Sequence, residues 1–157
     1  MQAVILTGMG RYLLILSLAL WLGGLTFYAL IVVPVGTEIL GSTGQGFITQ
    51  RVTDRLNLLS SCVLVLLLAN VLKQRGRLLT GSWLVLAITQ AALFAMHPWL
   101  DAMLDGSTQA IADGELFYQR HGIYLDVTAV QWAALLVHLW CVQSTSKTSP
   151  VSDTRTS

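Results

Sequence analysis

The chain has 157 residues, of which 54% are hydrophobic and only 11% are charged, and its formal net charge is +1. Ordinary soluble domains carry about 25% charged residues, so the sparse charge excludes a soluble domain of this size and indicates a single membrane-embedded one. The near-neutral charge, without a Gly-rich phosphate loop or a clustered basic stripe, excludes nucleic acid as an expected partner.

The first predicted element is an apolar membrane-spanning helix over about residues 12–34. Tyr12 to Val33 is a nearly unbroken apolar run, which is about 33 Å long as a helix and matches the hydrocarbon core of a bilayer. The run is too long for the apolar region of a signal peptide, so we expect an uncleaved helix. Ala19 and Gly23 form a small-residue pair through which a second copy or another membrane protein could pack.

A polar, glycine-rich stretch then leads into a second predicted span over about residues 56–72. From Phe47 onward the pattern is amphipathic, which predicts a short interfacial helix before the span. Three charged residues form the polar side of this helix: Arg51, Asp54 and Arg55. A polar line continues from Asp54 into the membrane through Asn57 and Ser61.

The third predicted span covers about residues 79–97 and ends at a His-Pro pair, after which an acidic loop follows. Gln90, His97 and Asp101 fall on one face of this helix, because spacings of four and seven residues return to the same side. A membrane helix with a polar face should turn that face toward the interior of the bundle.

The fourth predicted span covers about residues 117–142 and carries Asp126 about one turn below the interface. An unpaired carboxylate is costly there, so we expect an arginine partner for Asp126, from among Arg51, Arg55 and Arg120. His138, near the other end of the span, is interpreted as reaching toward the cytoplasmic interface. The Ser/Thr-rich segment 144–157 is predicted to be a disordered cytoplasmic tail.

The sequence thus predicts an all-α fold, a four-helix transmembrane bundle with a short amphipathic helix before the second span. Six Lys and Arg residues flank the side of the termini and three flank the opposite side. Because basic residues favour the cytoplasm, we expect both termini there, in a plasma or inner membrane. The lipid bilayer is the expected partner, together with a homo-oligomer or membrane protein at the first helix.

Several segments resemble a family of small, uncharacterised four-helix membrane proteins, over most of residues 12–142. They are Trp21-Leu-Gly-Gly-Leu-Thr-Phe-Tyr followed by Pro34, the Gly-rich loop leading to Gln50-Arg51, the His97-Pro98 helix end, and Phe117-Tyr-Gln-Arg-His121-Gly122. That family is distantly similar to copper-resistance protein D membrane domains and HemJ-type protoporphyrinogen oxidases, which implies metal or haem handling. HemJ-type enzymes are expected to have a histidine in the first helix and a lysine within a later one. Both are missing here, so the oxidase activity is not expected.

His97 and His121 are the sharpest candidate site residues, since both lie at the same end of the last two predicted spans. Imidazole binds copper, zinc or haem iron, and Met96 could add a soft ligand for copper(I). The alternative is structural: His97 caps the helix end, and His121 forms a hydrogen bond with Asp101 or Asp126. A polar cluster is also predicted, consisting of Arg51, Asp54, Arg55, Gln90, Asp101 and Asp126.

Two functions therefore remain open from the sequence. The first is a non-catalytic integral membrane protein, an accessory or small-solute-handling bundle. The second is a copper- or haem-binding membrane protein that uses His97 and His121. A transporter is less favoured, because four helices enclose little cavity unless the protein oligomerises.

Overall fold

The protein is described by a computed structural model over residues 2–105, 108 and 110–144, with side chains from residue 8 onward. Its helices are α1 (Gln2–Phe27), α2 (Val33–Gln74), α3 (Arg77–Asp101) and α4 (Gly114–Ser144), and a π-helical turn, Tyr28–Val32, joins α1 to α2. Two short antiparallel strands, β1 (Leu104–Asp105) and β2 (Ala110–Ile111), connect α3 to α4. Apart from Ser144, the predicted tail lies outside the described residues.

Three continuous helical stretches are long and apolar enough to cross a membrane: Gly8–Gln74, Arg77–Asp101 and Gly114–Ser144. The predicted all-α class is therefore confirmed, and the length and composition of these stretches are those of membrane-spanning helices. Large apolar side chains such as Leu30, Ile39 and Ile88 are exposed on the outer surface, where a bilayer would cover them.

The first stretch reverses direction at Gly41, which has the non-helical angles φ 74° and ψ 166°. The hydroxyl of Tyr28 donates to Oγ1 of Thr49 at 2.8 Å, although these residues would lie about 31 Å apart along a straight helix. A Cβ added to Gly24 would lie 3.7 Å from Leu56, so the two halves lie side by side. We call the parts of α2 before and after the reversal α2a (33–40) and α2b (42–74).

The first helix continues past the position where Pro34 was predicted to end it. Proline lacks an N–H and its ring clashes with the carbonyl four residues earlier, which here belongs to Leu30. The π-helical turn Tyr28–Val32 lies at this place, and a widened turn accommodates such a clash without ending the helix. The predicted polar loop after residue 36 is therefore mostly helical, and the amphipathic segment packs back on the first half.

The helices pack as α1 on α2b and α4, and α3 on α2b and α4. Five large apolar side chains are almost completely buried where these helices meet: Leu18, Trp21, Leu67, Leu86 and Leu135.

Two tryptophans form hydrogen bonds across the helix interfaces. Trp83 Nε1 donates to the carbonyl of Leu64 at 3.1 Å, and Trp132 Nε1 donates to Thr26 Oγ1 at 2.9 Å.

Helix α3 extends one turn beyond its predicted end, because Pro98 lies inside the helix, which ends at Asp101. Asp101 therefore follows His97 by one helical turn and lies on the same side. The acidic connection contains the β1–β2 hairpin, in which Leu104 pairs with Ile111. Asp113 then caps α4, since its Oδ1 accepts the N–H of Leu116 at 3.0 Å.

Gly41→Ala should destabilise the protein by about 1–3 kcal/mol, because an L-residue is strained at these backbone angles. A Cβ added at Gly41 would meet nothing within 4 Å, so the loss of stability would come from backbone strain alone. Gly81→Ala is the matched control, since Gly81 is an exposed glycine inside a helix with open space around it. Thermal unfolding in mild detergent measures both; an equal effect of the two changes would contradict the reversal.

Candidate functional site

A cavity of about 200 Å³ lies where Gly41, the end of α3, the hairpin and the start of α4 meet. We call this the hairpin end of the molecule. Its wall combines apolar side chains with polar ones from α2, α3 and α4, the polar ones being Thr37, Ser42, Thr43, Gln45, Thr49, Gln50, Thr53, His97, Asp101, Tyr118, His121 and Tyr124. The reversal at Gly41 creates this wall, because it brings α2b against α3 and α4.

His97 lies between two carboxylates at the inner side of the cavity. Its Nε2 is 2.8 Å from Oδ1 of Asp54 and 3.6 Å from Oδ2 of Asp101. With a hydrogen on Nε2, the imidazole donates to Asp54 across the α2b–α3 interface. The His97 residue is 9% exposed, whereas 49% of the Asp54 side chain is accessible. The site therefore joins a buried imidazole to carboxylates that water can reach.

His121 lines the same cavity but belongs to a different set of contacts. Its ring stacks on Phe117, with centroids 5.7 Å apart and an angle of 6° between the planes. Among the described residues, the group of potential metal ligands within 4.8 Å of one another consists of Asp54, His97 and Asp101. The structure thus brings both predicted histidines to one cavity, but it places His97 with carboxylates and His121 against an aromatic ring.

The remaining predicted site residues are divided among other environments. Met96 packs against the apolar cluster around Leu93 and Phe117. Arg51, Arg55 and Asp126 are exposed. Among the described residues, the ion pairs are those of His97 with Asp54 and with Asp101. The predicted pairing of Asp126 with Arg51, Arg55 or Arg120 is therefore wrong.

A second hydrogen-bonded group forms the wall of the cavity near the reversal. It was not predicted from the sequence. Gln45 is 3% exposed, and its Nε2 donates to the hydroxyl of Tyr28 at 3.3 Å. Its Oε1 has no hydrogen-bond partner among the described atoms. Gly36 is necessary for this arrangement, since a Cβ there would lie 1.7 Å from that oxygen. The glycine-rich segment was the sequence signal for this group, because its small residues allow two helical segments to approach each other closely.

A chain of buried amides closes the bundle beneath the cavity. Gln131 Nε2 donates to Gln90 Oε1 at 2.9 Å, and Gln90 Nε2 donates to Asn57 Oδ1 at 3.2 Å. The three residues are between 3% and 5% exposed and lie on α4, α3 and α2b. The sequence predicted the inward position of Gln90, and these bonds satisfy its polar atoms within the apolar interior.

His138 is completely buried between α3 and α4, so the prediction that it reaches toward the interface is wrong. Its Nδ1 lies 2.8 Å from the hydroxyl oxygen of Ser82, and its exposure is 0%. Leu86 and Leu135 are buried between this pair and the amide chain. A single sequence does not reveal the Ser82–His138 pairing, because the partner lies on another helix.

Comparisons with family models, curated proteins and solved structures returned no match for this chain. The interpretation of the cavity therefore depends on its own geometry.

Gln90→Leu should destabilise the protein by about 0.6–2 kcal/mol, because Asn57 and Gln131 both lose a partner inside the bundle. Gln74→Leu is the matched control, since the Gln74 side chain bonds Asn70 in an exposed position. Thermal unfolding of the two variants in the same detergent gives the comparison. A Gln90→Leu protein as stable as Gln74→Leu would show that the amide chain does not stabilise the fold.

Proposed function

We propose that this chain is a non-catalytic integral membrane protein that binds a small ligand in the cavity at its hairpin end. The proposal is supported mainly by the cavity, whose polar wall comes from three helices. Below the cavity, hydrogen-bonded amides close the interior of the bundle. Such an arrangement suits binding from one side of the membrane. It gives less support to transport, since the amide chain and Leu86 block the way through the described interior.

The proposed architecture is a bundle of four spans. The first span consists of α1 together with α2a, and the other three are α2b, α3 and α4. The reversal at Gly41 supports it, because α2b returns alongside α1. Among the described residues, four basic residues lie near the end away from the hairpin and three lie toward the hairpin end. This bias favours cytoplasmic termini, with the cavity facing the outside of a plasma or inner membrane.

The ligand class follows from the size and charge of the cavity. Its volume of about 200 Å³ lies below the roughly 300–1,000 Å³ of pockets for drug-sized ligands. The charged or titratable groups on its wall are His97, Asp101, His121 and two tyrosines, with no lysine or arginine among the described lining residues. A small cation or a small neutral polar molecule is therefore favoured over an anion.

The copper and haem hypotheses fit this cavity less well. Copper(I) prefers thiolate and thioether ligands, whereas Met96 packs in the apolar cluster and the cavity offers imidazole and carboxylate groups. A haem macrocycle is also too large for this volume. The family resemblance that suggested these cofactors stays a prediction.

Thr53→Cys tests the cavity, because Thr53 is half-buried on its wall and no cysteine lies there. In a Cys62→Ser background, a membrane-impermeant maleimide should label this cysteine from the outside of intact cells. Methylammonium, a small cation, should slow the labelling in the presence of EDTA, whereas acetate should not.

Leu58→Cys is the matched control on the same helix, since Leu58 is 58% exposed on the outer, lipid-covered surface and should resist labelling. Labelling of Thr53→Cys only from the cytoplasmic side would contradict the proposed orientation. Equal slowing by acetate and methylammonium would contradict the preference for a cation over an anion, and slowing by neither would exclude a small cation as the ligand.

A further inference from the structure

We infer that Asp54, His97 and Asp101 form a binding site for one divalent first-row transition-metal ion such as Zn²⁺. The inference rests on the proposed function in one respect, since it names an ion as the small ligand at that cavity. It differs from the metal site predicted from the sequence, which joined His97 to His121 and Met96.

The spacing of the three ligand atoms suits a shared ion. Nε2 of His97 lies 2.8 Å from one carboxylate oxygen and 3.6 Å from the other, and all three atoms lie within 4.8 Å of one another. Zinc binds imidazole nitrogen and carboxylate oxygen at about 2.0–2.2 Å, which places neighbouring ligand atoms about 3–3.5 Å apart. Small side-chain rotations would therefore bring the three atoms around one ion.

The ligands stand on helices that already hold them together. His97 and Asp101 are one turn apart on α3, and Asp54 faces them from α2b across the packed interface. The amide contact between Asn57 and Gln90 lies directly below and joins the same two helices. The protein therefore bears little ordering cost when an ion binds.

The cavity supplies what three protein ligands leave incomplete. A first-row ion needs at least a fourth ligand, and about 200 Å³ beside His97 and Asp101 has room for several water molecules at roughly 30 Å³ each. Water in this cavity can therefore complete the coordination of the ion.

Charge favours the same occupant. Two carboxylates face one imidazole, so the group carries net negative charge whether or not His97 is protonated. A divalent cation that replaces the proton on Nε2 would neutralise both carboxylates. The 30% exposure of the Asp101 side chain and the 49% exposure of Asp54 leave an entry route from water.

The donor set selects among metals. One imidazole nitrogen with two carboxylate oxygens suits zinc and its neighbours in the first transition row. Calcium and magnesium prefer oxygen ligands throughout, and copper(I) prefers sulfur. The site should therefore bind Zn²⁺ more tightly than Mn²⁺, and Ca²⁺ much more weakly than either.

Isothermal titration of the full chain in mild detergent, freed of metal with EDTA and then of EDTA by dialysis, tests the site. One Zn²⁺ should bind per chain. Asp54→Asn and Asp101→Asn, which keep the side-chain shape, should each weaken binding at least tenfold, and His97→Gln should abolish it. Thermal unfolding without metal establishes that each variant is folded.

Asp126→Asn is the matched control, because Asp126 is an exposed acid on α4 outside the group, and its Zn²⁺ affinity should equal that of the original chain. The variant His121→Gln separates this site from one built on the two histidines. Loss of binding in His121→Gln with retention in Asp54→Asn would overturn the inference, and so would the absence of Zn²⁺ binding in the original chain. Outside labelling of Thr53→Cys, slowed by methylammonium, would still support the cavity after such a failure.

Discussion

The chain reverses direction at Gly41, and both the packing of the helices and the cavity require this reversal. Without it, α1 and α2 would form one rod, and the wall made by Gln45, Thr49 and Thr53 would not face α3 and α4. Only glycine adopts the backbone angles of Gly41 without strain. Gly36 then allows the two halves to approach until the side chain of Gln45 lies against its backbone.

Polar contacts between α2b and α3 set the register of these helices once the chain has turned back. Asp54 meets His97, Asn57 meets Gln90 and Leu64 meets Trp83, so residues further along α2b meet residues earlier in α3. These contacts describe a single antiparallel register. A shift by one helical turn would break several of these bonds together. Such a shift is unfavourable because an unsatisfied polar group is costly inside a bilayer. The same bonds that stabilise the bundle therefore hold the imidazole and the carboxylates in place.

The sequence predicted the parts of this arrangement that depend on one helix at a time. The apolar runs gave the class, and helical spacing placed Gln90, His97 and Asp101 on one inward face, as burial and bonding confirm. The polar line from Asp54 to Asn57 was also visible. Of the polar residues that line the cavity, His97, Asp101 and His121 were singled out from the sequence, whereas those of α2 between Thr37 and Thr53 were not.

The errors concern choices that depend on tertiary contacts. Three glycines follow one another closely after residue 40, and their spacing does not show which one reverses the chain. The side of α4 that carries Asp126 turned out to face outward, and His138 found Ser82 on another helix. Such pairings depend on how each helix is rotated in the bundle, which one sequence does not determine.

The distance between spin labels at Leu20→Cys and Leu58→Cys, in a Cys62→Ser and Cys141→Ser background, tests the reversal most directly. Both leucines are more than half exposed, at 56% and 58%, so the labels should leave the core undisturbed. Since neighbouring helix axes lie about 8–10 Å apart, we expect a label separation below about 25 Å. A distribution centred near the roughly 57 Å of an unbroken helix would contradict the reversal and the cavity built upon it.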